Sequence, residues 1–339
     1  MRTARVGTSG LVVSKLCLGS MYFGGVTEQA EATGLVAAAL DAGITFYDSS
    51  NMYTAGRAES TLGAALRELN ARDRIVLATK AFYPMGEGPN DRGGGRRHIL
   101  AELENQLRRL QTDWVDLYYL HRADFETPLE ETIEVMDSLV RSGKIRYWGV
   151  STFPAWRTAE AWWRAERRGW VQPIAEQSPY NLLDRRLENE RVRFLRTYNL
   201  GLMTWSSLAG GLLSGKYSST AADSPPEGTR LYDQKERYRP RLGNAALDKA
   251  GALADLAGQS GLDPIHMAIG WLQQQPVVTA TVVGPRTTAQ LESYLGAVDV
   301  TLDAGVLAEI DQIVPPGSAF ADFHDTSNWH VGPVTQASE

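Results

Sequence analysis

Residues 114–151 read "WVDLYYLHRADFETPLEETIEVMDSLVRSGKIRYWGVS", two short apolar runs with an amphipathic segment between them. The runs at 114–121 and 145–151 have the length of buried strands. Residues 128–142 repeat apolar side chains at helical spacing. Pro128 begins this segment and Gly143 follows it, and proline at the start and glycine just past the end are typical of a helix. A strand, a helix and a second strand in this order predict a βαβ unit with parallel strands.

The same alternation runs along the chain and predicts eight strands and eight helices. Eight such units favour a closed (β/α)8 TIM barrel over an open doubly wound sheet. No G-x-G-x-x-G motif follows any of the strands, which weakens the open-sheet alternative. The predicted strands are 15–21, 44–49, 74–80, 114–121, 145–151, 174–178, 200–206 and 280–284, and the predicted helices are 28–42, 58–69, 96–110, 128–142, 155–168, 185–198, 244–258 and 287–297.

Three further segments complete the predicted architecture. The apolar runs within 1–13 predict an N-terminal β-hairpin that closes the bottom of the barrel. Residues 214–242 predict a long loop after the seventh strand, and connections of this length are usually functional or mobile. Segment 306–339 predicts one helix followed by a tail. Because no linker divides the chain, we expect a single α/β domain over 1–339, with its core at about 3–313 and a C-terminal tail at 314–339.

Composition excludes several classes of partner. Net charge is −6 and the basic residues are scattered, so neither nucleic acid nor an anionic membrane is expected. Cys17 is the only cysteine, which excludes an intrachain disulfide and a cysteine-based zinc site. The histidines in 324–330 lack metal-ligand spacing, so we expect no metal. With no signal-peptide core and no apolar run of about 18 residues, we expect a cytoplasmic protein, and a homo-oligomer is left open.

Ionisable side chains stand at the ends of three consecutive predicted strands. Asp48 ends the second strand, Lys80 the third and His121 the fourth, and Tyr53 lies in the loop "FYDSSNMY" that begins within the second strand. In an eight-stranded barrel the carboxyl ends of the strands meet at one rim, where active sites lie. We therefore expect these four side chains to be neighbours.

The four residue types suit proton transfer to an oxygen atom. A free phenol has a pKa of roughly 10, and a nearby ammonium stabilises the phenolate and lowers that value. Asp48 would keep Lys80 charged, Lys80 would tune Tyr53, and Tyr53 would give its proton to a developing alkoxide. A hydrogen bond from His121 would orient the carbonyl group. None of these groups is an electron source, so the hydride has to come from a bound cofactor.

These residues, in "FYDSSNMY", "LATK" and "YYLHRAD", resemble the catalytic tetrad of the aldo-keto reductases. The resemblance extends from about residue 3 to 313 through "GVSTF", "EQSPYNLLDR", "SSLAGGLLSGKY" and "VVGPRTTAQLESY", in the same order. It is strongest to the branch that contains bacterial members and potassium-channel β-subunits. The resemblance implies a barrel enzyme that reduces an aldehyde or ketone, with hydride from the nicotinamide C4 of NADPH.

The resemblance also implies how the cofactor is held. The expected nicotinamide and ribose contacts are Gly19, Ser20, Met21, Asp48, Ser151, Thr152, Gln177 and Trp205, with Trp205 stacked on the ring. The expected pyrophosphate contacts are Ser206, Ser207, Leu208, Gly210 and Lys216. The expected adenosine contacts are Gly284, Arg286, Gln290 and Tyr294, with Arg286 on the 2′-phosphate and Arg230 closing over the cofactor. Thr152, Ser207 and Tyr294 depart from the usual Asn, Pro and Asn, which leaves the preference for NADPH over NADH open.

Two other functions remain open at this point. A lysine at a barrel strand end could instead form a Schiff base, as in an aldolase, although pairing with Asp48 would keep Lys80 protonated and poorly nucleophilic. The chain could also be a redox-sensing regulatory subunit that binds NADPH and turns over slowly. The expected partner is a small carbonyl substrate of unknown identity. An aromatic set weakly indicates an apolar or ring-shaped substrate: Tyr22, Phe23, Phe82, Tyr83, Phe125 and Trp329.

Overall fold

The computed structural model describes residues 1–217, 225–227, 229–233 and 244–322. Eight parallel strands close into a barrel in the order β10-β3-β4-β5-β6-β7-β8-β9, and β1 and β2 pair as an antiparallel hairpin. The predictions of a TIM barrel, a single domain and an N-terminal hairpin are confirmed. The strands are β1 (Thr3–Arg5), β2 (Val12–Ser14), β3 (Leu16–Gly19), β4 (Phe46–Asp48), β5 (Val76–Ala81), β6 (Val115–Leu120), β7 (Ile145–Ser151), β8 (Ala175–Pro179), β9 (Gly201–Trp205) and β10 (Val278–Val283).

Helices follow the barrel strands and cover their outer faces. Within the described residues they are α1 (Gln29–Asp41), α2 (Arg57–Glu68), α3 (Arg96–Leu110), α4 (Leu129–Arg141), α5 (Ala155–Arg168), α6 (Arg191–Tyr198), α7 (Arg230–Asp233), α8 (Asn244–Gln259), α9 (Pro264–Gln274), α10 (Thr288–Leu295) and α11 (Ala304–Ile313). Most of the predicted loop 214–242 lies outside the described residues. Segment 324–330, which contains Trp329, lies outside them as well.

The alternation of side chains along each strand builds both the barrel core and the site above it. Phe46 in β4, Ala78 in β5 and Tyr119 in β6 belong to one buried cluster inside the barrel, which the hairpin residues Val6 and Val13 also join. Successive side chains on a strand point to opposite faces, so residues two positions further along point inward again. Those positions are Asp48, Lys80 and His121. The packing of the core therefore determines which polar residues reach the rim.

Helix α9 was not predicted from the sequence. Pro264 occupies its first turn, and the Asp263 side chain accepts hydrogen bonds from the backbone of Ile265 and His266. Its residues from Met267 to Gln273 are all buried, so the sequence shows no polar face and no amphipathic period. Helix α6 also begins later than predicted, because residues 186–189 form a separate 3-10 turn.

The described part of the chain has no helix long and apolar enough to cross a membrane. The cytoplasmic location and the oligomeric state both stay predictions.

We predict opposite stability effects for two helical glycines. A Cβ on Gly63 in α2 would lie 2.6 Å from the Arg109 carbonyl oxygen in α3, so the two helices touch there. Gly63→Ala should lower the free energy of unfolding by about 1–3 kcal/mol through overpacking. A Cβ on Gly34 in α1 would have no neighbouring atom closer than 3.9 Å. Gly34→Ala should therefore raise the free energy of unfolding by about 0.5–1 kcal/mol, because glycine within a helix loses more conformational freedom on folding than alanine does. Chemical denaturation of both variants checks this, and a destabilised Gly34→Ala or an unchanged Gly63→Ala would contradict it.

Candidate active site

A buried ion pair joins two neighbouring strands at the centre of the rim. Asp48 ends β4 and Lys80 lies in β5, with 1% and 0% of their surfaces exposed. Lys80 Nζ donates to Asp48 Oδ1 at 2.5 Å and to the Ser49 carbonyl oxygen at 2.7 Å. Gln177 in β8 donates to the other oxygen of the Asp48 carboxylate at 2.9 Å. Both charges are therefore hydrogen bonded to further groups, as charges removed from water require.

Tyr53 lies beside the Lys80 ammonium in the loop after β4. Lys80 Nζ is 5.2 Å from the centre of the Tyr53 ring, and the His121 ring is 6.1 Å from it in an edge-on arrangement. The next residues, Thr54 and Ala55, have φ angles of 47° and 55°. This left-handed conformation is uncommon for residues other than glycine and stores strain. The structure thus brings the four predicted catalytic residues together, and a strained turn follows Tyr53 directly.

Burial and charge oppose each other at the phenol and the ammonium. Loss of hydration raises the pKa of Tyr53, while the charge and hydrogen bonding of Lys80 lower it, and the net pKa is raised. The predicted effect of Lys80 is therefore present, but burial outweighs it. Burial by itself lowers the pKa of Lys80, but the charges of Asp48 and Tyr53, with the hydrogen bond to Asp48, act in the opposite direction, and the net pKa is raised. Near neutral pH the site holds a protonated phenol and a charged ammonium.

Ser50 orients the His121 ring. Its hydroxyl oxygen lies 2.9 Å from Nδ1 of His121, and both residues are buried. The other acceptors of this hydroxyl, Asn51 Oδ1 and the Lys80 carbonyl oxygen, are further away at 3.4 and 3.5 Å. Burial and the charges of Lys80 and Arg122 hold the pKa of His121 well below its usual value, so the ring is neutral. We infer that Ser50 donates to Nδ1 and that the ring proton is on Nε2.

The chain after β9 makes a tight turn with several left-handed residues. Residues 206 and 209–211 have φ angles between 48° and 102°, whereas Leu208 between them has a φ of −105°. The N–H groups of Ala209 and Gly211 donate to the Ser206 and Leu208 carbonyl oxygens at 2.7 and 2.8 Å. Combinations of right- and left-handed backbone of this kind can present neighbouring N–H groups to an anion. Ser207 Oγ donates to the Val282 carbonyl oxygen at 2.9 Å and ties this loop to β10.

Positive side chains gather beyond this loop. The Arg230 and Arg286 guanidinium carbons lie 4.9 and 5.9 Å from the centre of the Tyr22 ring. Two effects lower the pKa of Lys216: burial, which is the larger, and repulsion from the charge of Arg286. Burial raises the pKa of Tyr294, against the opposing charges of Arg230 and Arg286. Three of the residues predicted to bind the cofactor therefore lie together on an electropositive surface beside Tyr22 and Tyr294: Lys216, Arg230 and Arg286.

The residues predicted at the nicotinamide end lie at neighbouring strand ends. Ser20 Oγ donates to Ser49 Oγ at 2.8 Å. Thr152 has a φ of 51°, a genuine outlier for a β-branched residue and more readily adopted by asparagine. The remaining predicted contacts are at the same rim: Gly19 at the end of β3, Met21 after it, Ser151 at the end of β7, Trp205 at the end of β9, and Gly284 and Gln290 after β10.

The sequence pattern of the aldo/keto reductase family matches residues 15–315. This chain belongs to that family. A probable voltage-gated potassium channel subunit beta of Oryza sativa subsp. japonica is 38% identical over 321 residues, which cover 93% of this chain and 97% of that protein. The uncharacterized oxidoreductase YrpG of Bacillus subtilis is 38% identical over 330 residues, covering 94% and 97%. A probable voltage-gated potassium channel subunit beta of Arabidopsis thaliana is 37% identical over 319 residues, covering 93% and 97%. The chain is therefore an aldo/keto reductase-type oxidoreductase.

Sequence reasoning missed three residues of this aldo/keto reductase site. Ser50 was passed over as loop material, although it follows Asp48 by two positions. Asn181 donates to the Ser206 carbonyl oxygen at 3.0 Å and holds the turn after β9. Tyr22 was assigned to the substrate side, but it lies between Arg230 and Arg286. Only a three-dimensional structure brings these groups together.

The predicted aromatic substrate wall is wrong in part. Phe23 is fully buried in the core between the barrel and its helices, so it cannot line a cavity. Tyr22 belongs to the electropositive surface described above. Tyr83 does lie at the site, with its ring 5.0 Å from that of His121.

We predict that Ser50→Ala changes the tautomer of His121. Without the hydroxyl donor, the buried Nδ1 loses its partner, and the two neutral tautomers should become mixed. Nitrogen-15 NMR of labelled histidine measures this directly. His266 gives an internal reference, because its Nε2 lies 2.9 Å from the Ser293 carbonyl oxygen, which can only accept. Ser49→Ala is the matched control, and an unchanged His121 signal in Ser50→Ala would refute the assignment.

Proposed function

We propose that the chain is an NADPH-dependent reductase of an aldehyde or ketone. The observation that carries the proposal is the buried Asp48–Lys80 pair beside Tyr53, with a neutral His121 next to them. This set provides a proton donor, a means of stabilising the phenolate that remains, and a hydrogen-bond donor for the substrate oxygen. It provides no nucleophile poised to attack a substrate.

Each protein group has a defined part in the proposed reaction. Tyr53 gives its phenol proton to the substrate oxygen, and because burial raises its pKa it holds that proton at neutral pH. The Lys80 ammonium then stabilises the phenolate, and Asp48 keeps this lysine charged. The Nε2–H of His121 donates to the same substrate oxygen and orients the carbonyl group.

The residues present fit a dinucleotide that carries phosphates. The tight turn at residues 206–211, which combines left- and right-handed backbone, and the Lys216 side chain suit a pyrophosphate. Arg286 suits a 2′-phosphate because guanidinium donors match phosphate oxygens. When bound, the nicotinamide supplies the hydride to the carbonyl carbon. Asp233 lies 3.7 Å from Arg286 and would compete with that phosphate, so the preference for NADPH over NADH depends on this contact.

The structure supports reduction more than Schiff-base chemistry. Lys80 is fully buried, ion-paired at 2.5 Å, and has a raised pKa. A lysine nucleophile needs the opposite, a neutral amine with a lowered pKa.

A regulatory subunit is the second candidate, because two relatives are named as probable potassium channel β subunits. The complete set of four side chains argues for turnover in either role.

We predict that Tyr53→Phe lowers kcat for aldehyde reduction by at least about two orders of magnitude, because the general acid is lost. An NADPH-oxidation assay over a panel of aldehydes measures this. Tyr198→Phe, on α6, is the matched control and should retain wild-type rates. Equal rates in Tyr53→Phe and wild type would count against the assigned role.

We predict that Arg286→Ala raises the KM for NADPH about tenfold to a hundredfold, since a charge-assisted contact contributes about 1.5–3 kcal/mol. The KM for NADH should change much less, because NADH lacks the 2′-phosphate. Steady-state kinetics with both cofactors test this. Arg193→Ala, an exposed arginine on α6, is the control. A similar loss with both cofactors would show that Arg286 does not bind the 2′-phosphate.

A further inference from the structure

Arg122 lies in the candidate active site, within the motif "YYLHRAD", but neither the sequence analysis nor the proposed reaction gives it a role. It follows His121 directly after β6. Its guanidinium carbon is 5.7 Å from the centre of the Tyr83 ring, and Nη1 is 3.5 Å from Thr152 Oγ1. Tyr83 in turn packs edge-on against His121 at 5.0 Å. Arg122 therefore lies between the loops that follow β5 and β7, beside the residue that would bind the carbonyl oxygen.

The charge of Arg122 is not neutralised by the part of the chain that the structure describes. Nη1 donates to the His121 carbonyl oxygen at 2.8 Å, and no carboxylate lies within 4.0 Å of the guanidinium among the described residues. Among the described residues, Nε is buried without an acceptor. Arg157, at the start of α5, also has a buried Nε without an acceptor in this part of the chain, but its charge is paired with Glu160 at 2.8 Å. An unpaired and partly desolvated guanidinium is costly unless a ligand completes its hydrogen bonds.

The positive charge of Arg122 acts on the reacting groups. It lowers the pKa of His121 and opposes the rise in the pKa of Tyr53, so both groups lie within range of its field. Arg122 is also partly exposed, so a molecule bound at the rim can reach it. A substrate whose carbonyl oxygen contacts Tyr53 and His121 places its substituents close to this charge.

We propose that Arg122 binds a carboxylate of the substrate, so that the preferred substrates are carbonyl compounds that also carry a carboxylate group. This inference rests on the proposed function and makes it more specific. A guanidinium offers planar, paired donors that match the geometry of a carboxylate, and it remains charged at all relevant pH values. The carboxylate would supply the negatively charged acceptor that the described part of the chain does not place beside Arg122.

The test compares matched acids and esters. Reduction of 2-, 3- and 4-carboxybenzaldehyde is measured beside that of their methyl esters, with NADPH and with NADH. The three isomers vary the distance between the two groups, and each ester keeps the same carbonyl group without the charge. We expect kcat/KM for at least one acid to exceed that of its ester about tenfold to a hundredfold, the range for a charge-assisted hydrogen bond.

Variants of Arg122 assign the preference to this residue. Arg122→Gln should abolish the acid-to-ester ratio, and Arg122→Lys should retain part of it because the charge remains. The ratio is the correct readout, since the loss of charge beside Tyr53 and His121 changes the rates of acid and ester alike. Arg193→Gln, at an exposed position on α6, is the matched control and should keep the wild-type ratio.

The outcomes separate this inference from the proposed function. Reduction of acids and esters at equal kcat/KM by the wild type would overturn the inference and leave carbonyl reduction in place. Absence of any reduction would instead refute the proposed function. In that case the binding of a carboxylate by Arg122 is tested by calorimetric titration with 2-, 3- and 4-(hydroxymethyl)benzoate, the alcohols that correspond to the three aldehydes, in the presence of NADP+. Tighter binding of at least one isomer by wild type than by Arg122→Gln supports the inference, and equal binding of all three overturns it.

Discussion

The buried ion pair of Asp48 and Lys80 is the interaction on which the rest of the site depends. Two charges placed where 1% or less of each residue is exposed cost several kcal/mol each unless they are paired and hydrogen bonded. The Ser49 carbonyl oxygen and the Gln177 amide supply the further bonds. Asp48 and Lys80 come from the neighbouring strands β4 and β5, whereas Gln177 comes from β8 and reaches Asp48 across the barrel. Closure of the barrel therefore supplies one of the hydrogen bonds that the buried pair requires.

The barrel and the meeting of Asp48, Lys80 and His121 could be predicted because both follow from strand periodicity, whereas Tyr53 was placed by its position in the short loop after Asp48. The inward face that buries Phe46 and Ala78 also carries Asp48 and Lys80, two residues later. Helix α9 could not be predicted, because seven consecutive buried residues show no polar face. Tyr22 and Phe23 were misplaced for a related reason: adjacent residues after β3 take different environments, one beside Arg286 and one in the core. Loop residues have no fixed period from which an environment can be inferred.

The direction of the Tyr53 pKa illustrates what residue identities alone leave undetermined. A neighbouring lysine lowers a phenol pKa, and desolvation raises it. Which effect is larger depends on how deeply the surrounding loops bury the ring, and here burial is larger. A buried phenol beside an ammonium keeps its proton until a stronger base, such as an alkoxide, forms next to it. A raised pKa is therefore compatible with a proton donor, provided that Lys80 is present to stabilise the phenolate.

The positive side chains of the site fall into two groups with different proposed ligands. Arg230 and Arg286 lie beside the Tyr22 ring, and Lys216 follows the turn after β9; these three suit the phosphates of a dinucleotide. Arg122 lies at the end of β6 with Tyr83, where the carbonyl compound would bind. In the proposed reaction the neutral ring of His121 would donate a hydrogen bond without adding a further charge. Arg122, which no carboxylate of the described residues neutralises, would then attract anions to the carbonyl end, so that charge as well as shape would select the molecule that is reduced.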